Sequence, residues 1–356
     1  MDTVESLVWL KRKRLFEKCK LYAKRVEIVF TESLQATDTD VLIIGDRGTA
    51  GYEVAPVFAG ACFLASRSLN INSKLVLQEP KTKGGMADLD VRQALEKIRP
   101  GSAVVLSLSG RIGGLYSSGK NFRRLAKERR LRFTSTPSLG TLKTSYLNRL
   151  VDAINIDYRG LQYTHQRLKK LLDYGNTVHI RTSAGTDLQI GIKGCTAITS
   201  DGFYTEEGEG GNLPAGEVFI APAKKQVEGK VVVDGSSRNK DTTVLVKKPF
   251  TIYIERGEVT RIEGGKEAKV LQDSIDWAMK YAKYDWGIKR IGELGIGLNP
   301  RAQISGAMIV DEKVRGTAHV AIGSNYWFGG GVYAMIHLDQ VFKNPKITID
   351  GRVVSV

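Results

Sequence analysis

The feature that most constrains this chain is a change of rhythm along it. Up to about residue 175, short apolar runs alternate with helical segments, and beyond it half-buried strands dominate. Val41-Leu42-Ile43-Ile44 is fully apolar, as expected of a strand covered on both faces. Leu75-Val76-Leu77 and Val104-Val105-Leu106-Ser107-Leu108 read as further strands. A basic amphipathic helix is expected over 8–26, another from the turn after Ile44 to about Ala65, and others over 86–98, 119–130, 142–153 and 158–173. Strands alternating with helices build a parallel sheet with covering helices. The expectation is an α/β chain: a Rossmann-like parallel-sheet domain over 1–175, then an α+β domain over 176–356.

In the second half, Thr177–Arg181 and Asp187–Ile192 alternate as half-buried strands around a turn at Ser183-Ala184-Gly185-Thr186. Strands are also expected at Glu217–Ile220, Lys230–Val233, Thr243–Val246, Phe250–Glu255 and Glu258–Ile262. Leu271, Ile275, Ala278, Met279 and Ala282 mark the apolar face of a helix over 266–284. A hairpin around Gly351 ends the chain.

The turn Gly45-Asp46-Arg47-Gly48-Thr49-Ala50-Gly51 invites a nucleotide-binding reading. Its spacing is neither the G-x-G-x-x-G fingerprint nor a P-loop, so it reads as a tight strand-to-helix turn. The net charge is +15, from 53 basic and 38 acidic residues. The basic runs lie on separate expected helices with no nucleic-acid module around them, so solvated helix faces are the better reading. Cys19, Cys62 and Cys195 form no Cys-x-x-Cys, which argues against a disulfide framework or a zinc knuckle. The apolar runs Leu7–Leu10 and Val57–Ala65 are too short for a signal-peptide core or a membrane span. The expectation is a cytoplasmic protein with no membrane partner.

Chemistry concentrates in the last quarter. Two of the four histidines, His319 and His337, fall there, together with Glu293, Tyr326 and Asp339. His337 and Asp339 are two apart, which on a strand puts both side chains on one face. Glu293, in Ile291-Gly292-Glu293-Leu294-Gly295, is a charge among apolar and glycine residues, and a buried glutamate needs a partner such as a metal. Glu217 stands at the entrance of a strand, where taken alone an ordinary exposed residue is the more natural reading. His165 and His179 lack such context and read as structural.

The segments Asn212-Leu213-Pro214 with Gly216-Glu217-Val218-Phe219, Gly292-Glu293-Leu294, Ala318-His319 with Tyr326, and Ile336-His337 with Asp339 resemble motifs of the thermophilic metalloaminopeptidases called aminopeptidase T and aminopeptidase S. The resemblance spans roughly 177–356. It implies a dinuclear site with Glu217, Glu293, His319, His337 and Asp339 as ligands, Glu293 as the bridge and Tyr326 beside the metals. It implies two divalent ions (zinc, cobalt or magnesium), peptide substrates and a homodimer. Two close ions lower the pKa of a bridging water and polarise a scissile carbonyl, and Tyr326 would donate to the oxyanion. The chain departs from the family in its shorter N-terminal half and in the short step from His319 to His337.

Two other readings stay open. His319, His337 and Asp339 alone make the 2-His-1-carboxylate set of non-haem iron oxygenases. Ring-cleaving dihydroxypyridine dioxygenases, which look like distant relatives of these peptidases, use such a set. Glu217 and Glu293 discriminate, because two extra carboxylates favour two metals over one iron. The third reading is a basic nucleic-acid-binding protein, with steeply salt-dependent binding and no need for the ligand residues.

Overall fold

The computed structural model describes residues 1–116 and 121–355. The chain forms two compact units, Met1–Tyr158 with Gly202–Ala215, and Arg159–Asp201 with Gly216–Val356.

The first unit is built on a five-stranded, wholly parallel sheet in the order Ser73–Gln78, Val41–Asp46, Ala103–Ser107, Arg132–Thr136, Gly210–Asn212. Val41–Asp46 is buried along its whole length, as its apolar run demands. Leu42, Ile44, Val104 and Leu106 pack with Val91, Leu95, Phe122 and Leu125 from the helices Leu89–Glu96 and Phe122–Glu128. The helix expected over 119–130 thus begins at Phe122; 119 and 120 lie outside the described residues. The last two strands, Arg132–Thr136 and Gly210–Asn212, were not foreseen in the sequence.

The single helix expected over 8–26 is instead two, Thr3–Arg12 and Phe16–Ala23. Arg14 takes a left-handed φ of 57° between them. Leu10 and Leu15 are both buried. Five residues apart on one continuous helix they would point about 140° apart, so the break is what turns both inward.

The glycine turn after the first strand is closed by its own carboxylate. Asp46 Oδ1 accepts from the Gly48 amide (3.0 Å) and the Ser109 hydroxyl (2.6 Å), and Oδ2 accepts from the Ser109 amide (2.7 Å). A buried carboxylate occupies these donors, which is the opposite of a phosphate cradle.

The second unit carries two seven-stranded antiparallel sheets. One runs Glu258–Glu263, Phe250–Glu255, Val227–Val233, Asp187–Gly191, Thr177–Arg181, Lys346–Ile349, Arg352–Val354. The other runs Thr243–Leu245, Ser236–Arg238, His337–Lys343, Thr317–Gly323, Ile291–Gly297, Glu217–Ile220, Ala197–Ser200. The helix Lys266–Tyr281 buries Leu271, Ile275 and Ala278, while Met279 stays half-buried. The fold is therefore mixed α/β, parallel in its first unit and antiparallel in its second. Among the described residues no helix is long and apolar enough to cross a membrane.

Candidate metal centre

Strand register explains why distant residues meet. Glu217 pairs with Gly297, Gly295 with His319, Ala321 with both Glu293 and Asp339, and Gly323 with His337. Alternation then puts Glu217, Glu293, His319, His337 and Asp339 on one face of one sheet. The other face holds Val218, Leu294, Ile296, Val320, Ile322 and Leu338, all buried. Small residues between the ligand types leave room for them. Gly295 is the tightest case: a Cβ there would lie 2.1 Å from His319 Cε1. The register shifts between Ile291 and Glu293, a bulge of the kind that re-aims a side chain beside a site.

Two overlapping groups result, Glu217–Glu293–His319 and Glu293–His337–Asp339, each with its ligand atoms mutually within 4.8 Å. Glu293 belongs to both. Its Oε1 is 3.2 Å from His319 Nε2, and its Oε2 is 3.5 Å from His337 Nε2. His319 Nε2 is also 3.8 Å from Glu217 Oε2, and His337 Nε2 is 3.1 Å from Asp339 Oδ1. Glu217, Glu293, His319 and Asp339 are buried, and His337 is partly open. His337 Nδ1 donates to the Ser324 carbonyl at 2.7 Å, which orients Nε2 toward the carboxylates.

These residues fit a divalent ion. Glu217 Oε2 and Glu293 Oε2 are buried without a hydrogen-bond partner. Buried carboxylate oxygens left this way call for a cation. The electrostatics agree. Burial alone would lower the His319 pKa, but the Glu293 hydrogen bond and the charges of Glu293, Glu217 and Asp339 raise it to about 9. His337 rises to about 10 despite burial, through Asp339 and Glu293. Asp339, although buried, is held well below the usual carboxylate range by His337. The face is starved of positive charge, and protons on the imidazoles supply it when no metal does.

One positive charge is built in. Lys313, 1% exposed, ion-pairs with Glu217 Oε1 and with Glu312 Oε1 (2.7 Å). Burial pushes Glu217 up to about 7 even beside this ammonium. Sequence reading passed over Lys313, because Asp311-Glu312-Lys313-Val314-Arg315 looks like a solvated charge run. It also passed over the aromatic wall. Trp327 and Phe328 stand edge-on to His337, with ring centroids 6.1 and 6.4 Å away, and Phe219 packs on both rings. Tyr326, on the same short turn, is exposed, with its ring edge-on to Tyr333 at 6.0 Å. His165 and His179 lie outside the cluster: His165 is buried with Nδ1 2.7 Å from the Leu161 carbonyl, and His179 pairs with Asp187 at 2.6 Å.

The fold and site together define a two-unit α/β protein with a histidine–carboxylate metal-binding face on an antiparallel sheet. Residues 146–356 match the family described as NicX, 2,5-dihydroxypyridine 5,6-dioxygenase, and the chain belongs to that family. It is 30% identical over 195 residues to 2,5-dihydroxypyridine 5,6-dioxygenase of Pseudomonas putida, covering 52% of this chain and 54% of that protein. It is 27% identical over 190 residues to aminopeptidase T of Thermus thermophilus, covering 47% and 43%. The chain thus spans about half the length of the curated relatives it matches. In structure it resembles the Pseudomonas putida dioxygenase with a TM-score of 0.70 at 20% identity, over 95% of this chain and 96% of that one. It resembles AmpT of Thermus thermophilus with a TM-score of 0.61 at 17% identity, over 94% and 99%. The aminopeptidase resemblance therefore stands as kinship of fold, while family membership favours the dioxygenase alternative over the peptidase reading.

Proposed function

We propose that this chain is a metal-dependent dioxygenase that opens a small hydroxylated aromatic ring of the dihydroxypyridine class, using one ferrous ion. The observation that carries the reading is the aromatic wall beside His337. Trp327 and Phe328, backed by the buried Phe219, would offer π-faces and edges to a flat ring beside the partly open His337. Family membership supports the same chemistry.

His319, His337 and Asp339, with Glu293 between them, would hold the ion. When bound, iron supplies Lewis acidity toward an ionised ring hydroxyl and the one-electron chemistry that dioxygen requires. The chain's own residues do the rest. Ser324 fixes the His337 ring, and Gly295 leaves space for that of His319. His337 holds Asp339 in its ionised form, well below the usual carboxylate range. The buried apolar face behind the ligands limits access of water from that side.

The second reading, a dinuclear aminopeptidase, is favoured by the two ligand groups that share Glu293. One experiment separates them. Protein loaded anaerobically with ferrous iron is given 2,5-dihydroxypyridine and air, and oxygen consumption is followed with the ring absorbance. Parallel samples loaded with zinc or cobalt are given dipeptides. Stoichiometric oxygen uptake with loss of the ring is expected. Amino-acid release from the dipeptides, with no oxygen uptake, would sink the proposal.

A further inference from the structure

We propose that Lys313 is a resident cation that fills the Glu217 half of the site and limits the chain to one divalent ion. This rests on the single-metal reading above and deepens it. Both ligand groups contain Glu293, but they are not equivalent. Among the described residues no lysine or arginine ion-pairs with a carboxylate of the Glu293–His337–Asp339 group, although the charge of Arg238 acts on Asp339 from further off. In the Glu217–Glu293–His319 group one carboxylate already carries an ammonium.

Charge decides which half takes a metal. Glu217 and Glu312 are both held by the Lys313 ammonium, which is buried and not free to swing into solvent. An arriving divalent ion would meet this fixed positive charge through Glu217 in a water-poor setting, where repulsion is weakly screened. It would also find Glu217 Oε1 occupied, with only Oε2 open to it on a carboxylate whose charge the ammonium already offsets. Glu293 and Asp339 instead face the imidazoles of His319 and His337, which are themselves ligand types rather than fixed cations. Lys313 offers no ligand atom of its own, and its ammonium is pinned between Glu217 and Glu312. The backbone fixes it in place, since its carbonyl accepts from the Asn299 amide at 2.8 Å and its amide donates to Val310.

The test counts bound manganese by equilibrium dialysis of the full-length chain, with free Mn²⁺ measured by electron paramagnetic resonance. The wild type is expected to take one equivalent. Lys313→Met is expected to take two, the second bound at least tenfold more tightly than any weak second ion on the wild type. Lys313→Arg, which keeps the charge, should stay at one. The charge-neutral pair Lys313→Met with Glu217→Gln should also stay at one, having lost both the cation and the ligand. Should Lys313→Met fold only in the presence of metal, the number of equivalents that restores its thermal transition gives the same count. Two tight equivalents on the wild type, or one on Lys313→Met, would overturn the inference. Oxygen consumption by the iron-loaded wild type reports the ring-opening reading separately, so either can fail without the other.

Discussion

Gly295 lies directly across the sheet from His319, so close that a methyl group on it would sit 2.1 Å from the imidazole. Nothing else in the strand can yield to the ring, because Leu294 and Ile296 point to the opposite, buried face. Gly295→Ala is therefore expected to displace the His319 ring while leaving the strand paired. Loss of the ring's orientation should weaken metal binding by about 10–100-fold, the scale seen when a ligand's support is removed. Isothermal titration with Mn²⁺, alongside circular dichroism to confirm the fold, checks this. Unchanged affinity would mean His319 is not a ligand.

That relationship also shows what the sequence could and could not convey. The apolar run at Val41–Ile44 and the helical spacing through Leu271, Ile275 and Ala278 announce their elements, because local pattern and tertiary burial agree there. The strand Ile291–Gly297 hides, because three glycines in seven residues mask its period and both its faces are buried. Glu293 declared itself as a charge in apolar surroundings, and Asp339 by its two-residue spacing from His337. Lys313 did not, because its partner Glu217 lies 96 residues upstream and only the folded sheet brings them together. Gly210–Asn212 was invisible as a strand for another reason: its acidic, glycine-rich flank reads as a solvated loop, and its pairing with Arg132–Thr136 is wholly non-local.

The two glutamates should separate in their effects. Glu293 faces both histidines, whereas Glu217 is tied to Lys313. Glu293→Gln is expected to weaken uptake of the first Mn²⁺ by about 100-fold, at the upper end for perturbed metal sites. Glu217→Gln should change it by less than about tenfold, the lower end of that range, since Lys313 keeps Glu312 as a partner at 2.7 Å. Equal losses in the two variants would argue for a dinuclear centre.

Asp46 predicts a purely structural phenotype in the first unit. It accepts three hydrogen bonds, from the Gly48 amide and from the Ser109 amide and hydroxyl, and is itself fully buried. Asp46→Ala strands these donors and should destabilise the protein by about 1–3 kcal/mol. Urea denaturation measures this. Mn²⁺ affinity should be unchanged, and neither protein should bind ATP. Nucleotide binding by the wild type would restore the reading that the structure argues against.

The thiols should divide by burial. Cys19 is fully buried and pushed up to about 12 by desolvation, with its Sγ donating to the Leu15 carbonyl. Burial holds Cys62 higher still, helped by neighbouring Cys19. Only the thiolate reacts with disulfide reagents. Cys195, which is partly exposed, should therefore react alone in the native state, and all three should react in denaturant. Mass spectrometry of the labelled protein gives the order. Rapid native labelling of Cys19 or Cys62 would show that this core opens readily.

Metal uptake should depend on pH, with a definite sign. His319 and His337 have folded-state pKa values of about 9 and about 10, above the ordinary histidine value of about 6.5. In the metal-free chain both imidazoles are thus protonated at neutral pH, each favoured by the carboxylates around it. The stability they contribute is fully present below about pH 6.5 and is lost as pH rises through about 9 and then about 10. Metal reverses the preference, because it needs the neutral rings. Binding at pH 7 should release close to two protons, read as the dependence of the calorimetric heat on buffer ionisation enthalpy. The affinity for Mn²⁺ should rise with pH through neutrality and on until the second imidazole titrates near 10. The metal-free protein should lose stability over the same window. The metal's contribution to the melting temperature therefore grows with pH while the apo melting temperature falls. Proton release near zero at pH 7 would mean that the imidazoles are already neutral, and that the carboxylates of Glu293 and Asp339 do not govern them as this geometry requires.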